Sequence, residues 1–220
     1  MVQTMNALTP LPLLKMMFQT PASPPSLVGE RLARVMLART PRVGPVTFHE
    51  MLGHYGSAEA ALDALPDMAR TARLDTRAPS MARILGEAKA LSELGGRFIV
   101  VGDDDYPESL AAIADAPPVL SVIGDVALLS RPMVAVVGAR NASVNGRRMA
   151  TKFSAELGQA GRVIASGLAR GIDTAAHQAA LTTGTVAVLA GGVDVIYPPE
   201  NEGLYRAIAV GGAIVSEAPL

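Results

Sequence analysis

Two stretches decide the fold: Val134-Ala-Val-Val-Gly-Ala-Arg140, running into Asn141-Ala-Ser143, and Ser166-Gly-Leu-Ala-Arg-Gly-Ile-Asp173, running into Thr174-Ala-Ala-His177. Each glycine turn follows a short apolar run (Val134–Val137; Val163–Ala165) and precedes an alanine-rich amphipathic segment. That order predicts strand, turn, helix, twice over. Glycine serves where the backbone turns sharply at a strand end or lets a ligand come close. The following helix offers unpaired N–H groups and a positive dipole end, which suit an anion such as phosphate. Two such turns at the carboxyl ends of adjacent parallel strands form one crevice, the usual ligand site of open α/β sheets.

Working outward, the pattern stays regular. Strands are predicted to begin near Val134, Val163, Val186 and Ala213, with room for one helix in each interval. This is a βαβαβαβ run and a parallel sheet, with helices expected on both faces. In the first helix Met149, Phe153, Leu157 and Ala160 are expected to line the core. In the second, Asp173 is the expected N-cap of Thr174–Leu181, ended by Gly184. The third strand runs into Ala190-Gly191-Gly192, a third turn on the same rim, followed by Asp194 and Tyr197-Pro198.

The preceding chain divides into three parts. Residues 1–26, rich in Met, Pro, Thr and Ser, are expected to be a disordered leader. Residues 27–96 read as a small helical domain: Leu27, Leu32, Val35 and Met36 have helical spacing up to Thr40-Pro41. Val43-Gly44-Pro45 then turns the chain toward Phe48, Met51 and Leu52. Ser57 opens a helix that Pro66 is expected to stop, and Met81–Leu94 forms another, closed by Gly95-Gly96. Helices joined by a Val-Gly-Pro turn resemble a helix-hairpin-helix, and a helical packing domain without ligand explains them equally well. Residues 97–133 form a connector with strands at Phe98–Val101 and Val119–Ile123. Its acids Asp103-Asp-Asp105 read as a solvated turn rather than a metal site. Residues 134–220 form the sheet domain.

Composition narrows the function. Half the residues are apolar, enough for a substantial core, and the absence of cysteine excludes disulfides and thiolate metal sites. The apolar stretch Leu11–Phe18 is interrupted by Pro12 and Lys15 and is too short to span a membrane. A soluble, cytoplasmic protein is expected, with no membrane partner, cofactor or metal. Net charge is −1, which makes no global case for nucleic acid. Residues 131–170, however, hold seven basic side chains (Arg131, Arg140, Arg147, Arg148, Lys152, Arg162, Arg170) against the single acid Glu156. That local excess lies beside the glycine turns, where it marks an electrostatic footprint or a solvated helix face.

The motifs separate the possible ligands. The first turn lacks G-x-G-x-x-G, and Ser166 stands where a ribose-binding acid belongs, so an ordinary dinucleotide enzyme is disfavoured. Arg140 and Arg170 can direct planar guanidinium groups at phosphates, or pair with Asp173 or Asp194. Ser166, His177 and Asp173 could suggest a hydrolase triad. The nucleophile elbow G-x-S-x-G is missing, and a structural histidine is the simpler account.

These blocks resemble the DNA-processing protein A (DprA, also called Smf) family. The resemblance rests on Val137-Gly-Ala-Arg140, Ser166–Asp173 with Ala176-His177, Ala187-Val-Leu-Ala-Gly-Gly192, Asp194-Val-Ile-Tyr-Pro198 with Asn201, and Gly211-Gly212 through Ser216-Glu217. The helical region and Tyr106-Pro107 with Pro117-Pro-Val-Leu120 are similar to the family's sterile-alpha-motif-like domain and connector. The resemblance implies an α/β fold with a Rossmann-like open parallel sheet behind that domain. It also implies a non-enzymatic, single-stranded-DNA-binding protein of DNA uptake and natural transformation. Such proteins protect incoming strands and help load RecA recombinase, commonly as homodimers. By resemblance and by position, the expected DNA-contacting set is Gly138, Arg140, Ser143, Arg147, Ser166, Gly167, Arg170, Gly191, Gly192 and Asn201. Two departures stand out. Pro199-Glu200-Asn201-Glu202 is acidic where many relatives carry a lysine. The sequence also stops at Leu220, after the fourth strand, where the family continues with Phe-Pro-x-Arg-Asn-Arg, so a piece of a longer protein with an unpaired sheet edge is expected. The alternative, a nucleotide-processing hydrolase of the lysine-decarboxylase-like Rossmann group, would need P-G-G-x-G-T-x-x-E, and Ala190-Gly-Gly-Val193 offers neither its Thr nor its Glu. A scaffold that only binds protein is a third possibility.

Overall fold

The computed structural model describes residues 26–71 and 76–220; the expected leader falls almost wholly outside them. Four helices open the described chain: α1 (Gly29–Ala38), α2 (Pro45–Tyr55), α3 (Ala58–Thr71) and α4 (Met81–Glu93). Leu37 of α1, Phe48 and Met51 of α2, and Ala58, Ala61 and Leu65 of α3 pack into one cluster. Pro45 sits in the first turn of α2, where its missing N–H has no helical partner to lose. Pro66 does not stop α3, which runs on to Thr71. It is exposed, and its fixed φ is compatible with a helix that gives up one hydrogen bond.

Among the described residues the sheet has six strands, in the order β1-β2-β6-β5-β4-β3. They are β1 (Gly96–Val100), β2 (Val119–Gly124), β3 (Met133–Ala135), β4 (Val163–Ser166), β5 (Thr185–Leu189) and β6 (Ala213–Ser216). The helices between them are α5 (Glu108–Ala111), α6 (Val144–Gln159), α7 (Ile172–Ala180) and α8 (Glu202–Gly211). β3, β4, β5 and β6 are mutually parallel, as the sequence predicts. The connector of residues 97–133 supplies β1 and β2 to this same sheet. β2 lies antiparallel to β6, which corrects the expectation of an unpaired fourth strand; the open edges are β1 and β3.

The three crossover helices share one face, not two. From β3 to β6 the strands are added in a single direction, so each right-handed crossover lands on the same side. α7 accordingly packs against both α6 and α8. On that side Ile164 meets Ala176 and Ala180. Ile214 and Ala187 join Tyr205 and Ile208 of α8, and Leu32, Val35, Ile84 and Leu91 of the helical domain complete the cluster. Alternate residues of the strands, Val163, Val186, Ala213 and Val215, face the opposite side, where Leu128 and Leu129 of a 3-10 turn cover them. That cover is partial. A cavity of about 480 Å3 opens there between Leu120, Leu129, Met133, Val188 and Val215.

The core face of α6 also differs from expectation. Ala150, Ser154 and Gly158 are buried, whereas Met149 and Phe153 are 49% and 51% exposed. Small residues win this face because α7 and the turn after it lie close: a Cβ on Gly158 would collide with Thr183 of that turn.

Candidate functional site

The rim at the carboxyl ends of β3, β4 and β5 is built from three loops. The β3–α6 loop and the β4–α7 loop interlock. A Cβ on Gly138 would lie 2.7 Å from Ile172 Cγ1, and one on Gly171 would strike the carbonyl oxygens of Ala139 and Arg140. Ile172 N–H donates to the Ala139 carbonyl at 3.4 Å. These glycines therefore serve loop-to-loop packing. Gly167 and Gly191 remain exposed on the rim, while Gly192 is buried, its α-carbon facing Asp194 and the Pro219 carbonyl.

Buried polar groups fix the β4–α7 loop. Asp173 is not the N-cap of α7; Gly171 is, with φ of 84°. Asp173 sits in the first turn, 5% exposed, and its Oδ2 accepts from Gly167 N–H at 3.1 Å and Ala169 N–H at 3.3 Å. Asn201 donates to the Leu168 carbonyl at 2.8 Å and to Thr174 Oγ1 at 2.9 Å. Thr174 Oγ1 in turn donates to the Ala169 carbonyl at 2.8 Å. Ser166 Oγ donates to the Val136 carbonyl at 2.6 Å, joining the ends of β3 and β4. Of the expected contact residues, Asn201, Ser166 and Gly192 thus lie beneath the rim rather than on it.

The basic residues of the rim are outside. Arg140 is exposed, and among the described residues it forms no ion pair. Ser143 caps α6 by accepting from Gly146 N–H at 3.1 Å. Arg147, one turn on, donates from Nη1 to the Ala142 carbonyl. Arg170 approaches Glu200 at 3.7 Å with both side chains more than half exposed, a pairing that water and salt weaken. The sequence showed the acid at 200 without showing that Arg170 faces it. Arg140, Ser143, Arg147 and Arg170 thus combine two glycine loops, a helix N-terminus and three guanidinium groups on one rim, an arrangement suited to oxyanions.

The residues suggestive of a triad have other partners. His177 is fully buried, and its Nδ1 lies 2.7 Å from Thr185 Oγ1. The Thr185 hydroxyl gives its own proton to the Ile164 carbonyl at 2.8 Å, so it accepts from the imidazole. Burial pushes the His177 pKa down to about 4, outweighing the Asp173 carboxylate and the nearby Ser166 backbone, which favour the charged ring. In the connector turn Asp103 pairs with Arg31 at 2.9 Å, and Asp105 pairs with Arg97. Among the described residues no group of three His, Cys, Asp or Glu could hold a metal ion, and no helix is long and apolar enough to cross a membrane.

The family model for a DNA recombination-mediator protein A matches residues 97–220, and that for a DprA-like N-terminal HHH domain matches residues 29–90. The chain is 34% identical over 193 residues to Protein Smf of Synechocystis, covering 81% of this chain and 48% of that protein. It is 46% identical over 117 residues to the DNA processing protein DprA of Streptococcus pneumoniae, covering 52% and 41%. The chain therefore spans about half the length of the relatives it matches. Among solved structures, DprA from Streptococcus pneumoniae superposes with a TM-score of 0.66 at 26% identity, over 87% of this chain and 68% of that one. DprA from Helicobacter pylori, solved to describe its single-stranded DNA binding mode, superposes with a TM-score of 0.50 at 30% identity, over 56% and 57%. With its interlocked glycine loops inside a matched region that spans more than half its length, the chain belongs to the DNA recombination-mediator protein A family.

Proposed function

We propose that this chain binds single-stranded DNA through the arginine-lined rim, as part of a DNA-processing protein of natural transformation. The observation that supports it most is Arg140: exposed, unpaired among the described residues, and held at the mouth of two interlocked loops. The Helicobacter relative adds weight, since single-stranded DNA is the ligand for which its structure was solved. The contact set is Gly138, Arg140, Ser143, Arg147, Gly167, Arg170 and Gly191, with Ser166, Gly192 and Asn201 as its support. The role is binding rather than catalysis: the buried His177, Ser166 and Asp173 are engaged in holding loops and strands. Delivery of the strand to RecA recombinase, action as a homodimer and a cytoplasmic location belong to the same proposal and rest on family membership.

The test is a salt titration of binding to fluorescently labelled oligo-dT. Binding that weakens as log salt rises, with a slope of about −0.7 per phosphate contacted, supports the proposal. Salt-independent binding, or hydrolysis of AMP-type nucleotides by this chain, would overturn it.

A further inference from the structure

The outer surface of α6 carries two exposed rows that nothing in the fold explains. Residues four apart on a helix stand one above the other. Arg148 and Lys152 form one such row, and Met149 and Phe153 form the row beside it. The opposite face of α6 is committed to the interior through Ala150, Ser154 and Gly158. Phe48 and Phe98 are 0% and 4% exposed, whereas Phe153 is 51% exposed, with Met149 at 49% beside it. Leaving such apolar area in water forgoes the stabilisation that burial would bring. The Lys152–Glu156 contact, 3.8 Å between mostly exposed groups, does little to neutralise the cationic row. The rows begin near Arg147 and the Ser143 cap, so they continue from the rim that holds Arg140.

Resting on the single-stranded DNA reading of that rim, we infer that the strand runs off the crevice and down the outer face of α6. Arg148 and Lys152 take phosphates, and one base stacks on Phe153 with Met149 alongside. A polyanion with flat apolar bases matches both rows at once, which is how single strands are held without sequence preference. A protein partner would meet the apolar row but would have to supply a run of acids for the other.

The protein has no tryptophan, so F153W introduces a unique fluorophore at the proposed stacking position. An oligo-dT of about 20 nucleotides should quench it strongly, while one of about 6 nucleotides, able to fill only the crevice, should bind without comparable quenching. Replacing Arg148 and Lys152 together by alanine should flatten the salt slope for the long strand by about 1.4 and leave the short strand unaffected. F153A should weaken the long strand about tenfold with little change for the short one. Binding of the long strand with no quenching and an unchanged slope would overturn the inference while leaving the rim intact. A fluorescence change that follows protein concentration without DNA, with dimer formation in sedimentation, would overturn it in favour of a protein interface. Failure of both strands to bind would remove the underlying reading as well.

Discussion

The side-chain amide of Asn201 donates to the carbonyl of Leu168 at 2.8 Å, and Leu168 has a positive φ of 57°. A branched side chain rarely adopts that left-handed conformation, and it persists only when its surroundings enforce it. Here they do: Leu168 is fully buried, and Asp173 holds the N–H groups on either side of it. The loop that presents Arg170 is thus fixed from below by buried polar groups.

N201A is therefore expected to act on stability. It leaves the Leu168 carbonyl and Thr174 hydroxyl short of a donor, at a cost of about 1–3 kcal/mol, which lowers Tm by about 2–4 °C per kcal/mol for a chain of this size. The slope of log K against log salt should stay at its original value. Thermal melts together with a salt titration separate support from contact; a slope flattened by about 0.7 would make Asn201 a phosphate ligand instead.

Stability should fall on mild acidification because of His177. Its folded pKa of about 4 lies below the ordinary 6.5, so between those values the unfolded chain binds more protons than the folded one, and stability drops as pH decreases through the window. At pH 5 the loss relative to pH 7 from this one group is about 2 kcal/mol. Urea unfolding at both pH values measures it, and H177N should reduce the difference. An equal pH dependence in that variant would assign the effect to other groups.

Much of this was legible in the sequence because glycine turns and strand starts are local signals. The β3–β6 run and the place of Arg140 just past a strand end followed from spacing. The buried face of α6 did not. Periodicity selects the largest apolar residues, Met149 and Phe153, whereas the close approach of α7 and the turn after it demands the small ones, Ala150, Ser154 and Gly158. Nor could chain order alone show that β2 inserts beside β6, since strand order is a tertiary outcome. Asn201 was recognisable as part of the rim motif, but its burial depends on where the 3-10 turn at Pro199–Asn201 sits beneath the loop.

The Arg170–Glu200 contact predicts a gain. Both groups are largely exposed, so the pair adds little to stability, yet Glu200 places a negative charge where a phosphate would approach Arg170. E200Q should strengthen oligo-dT binding by up to about fivefold at low salt, and E200K by more, with Tm unchanged. Anisotropy titrations at two salt concentrations measure this, and weaker binding by E200Q would show that strand and loop do not meet.

The decisive variant is R140A. Arg140 leaves the end of β3 on a loop whose shape is set by Gly138 against Ile172 and by Gly171 against the Ala139 and Arg140 carbonyls, none of which involves its side chain. The guanidinium is exposed, and removing it should leave folding intact. Arg147 and Arg170 occupy the same rim, so a phosphate there meets several charges at once. Loss of one charge-assisted contact should cost on the order of 1.5–3 kcal/mol, roughly ten- to a hundredfold in affinity, and flatten the salt slope by about 0.7. Arg162, at the entry to β4 and hence at the opposite end of the strands, supplies the control, and R162A should bind like the original protein. If R140A keeps both its fold and its full affinity while R162A does too, the phosphates are held elsewhere than on this rim.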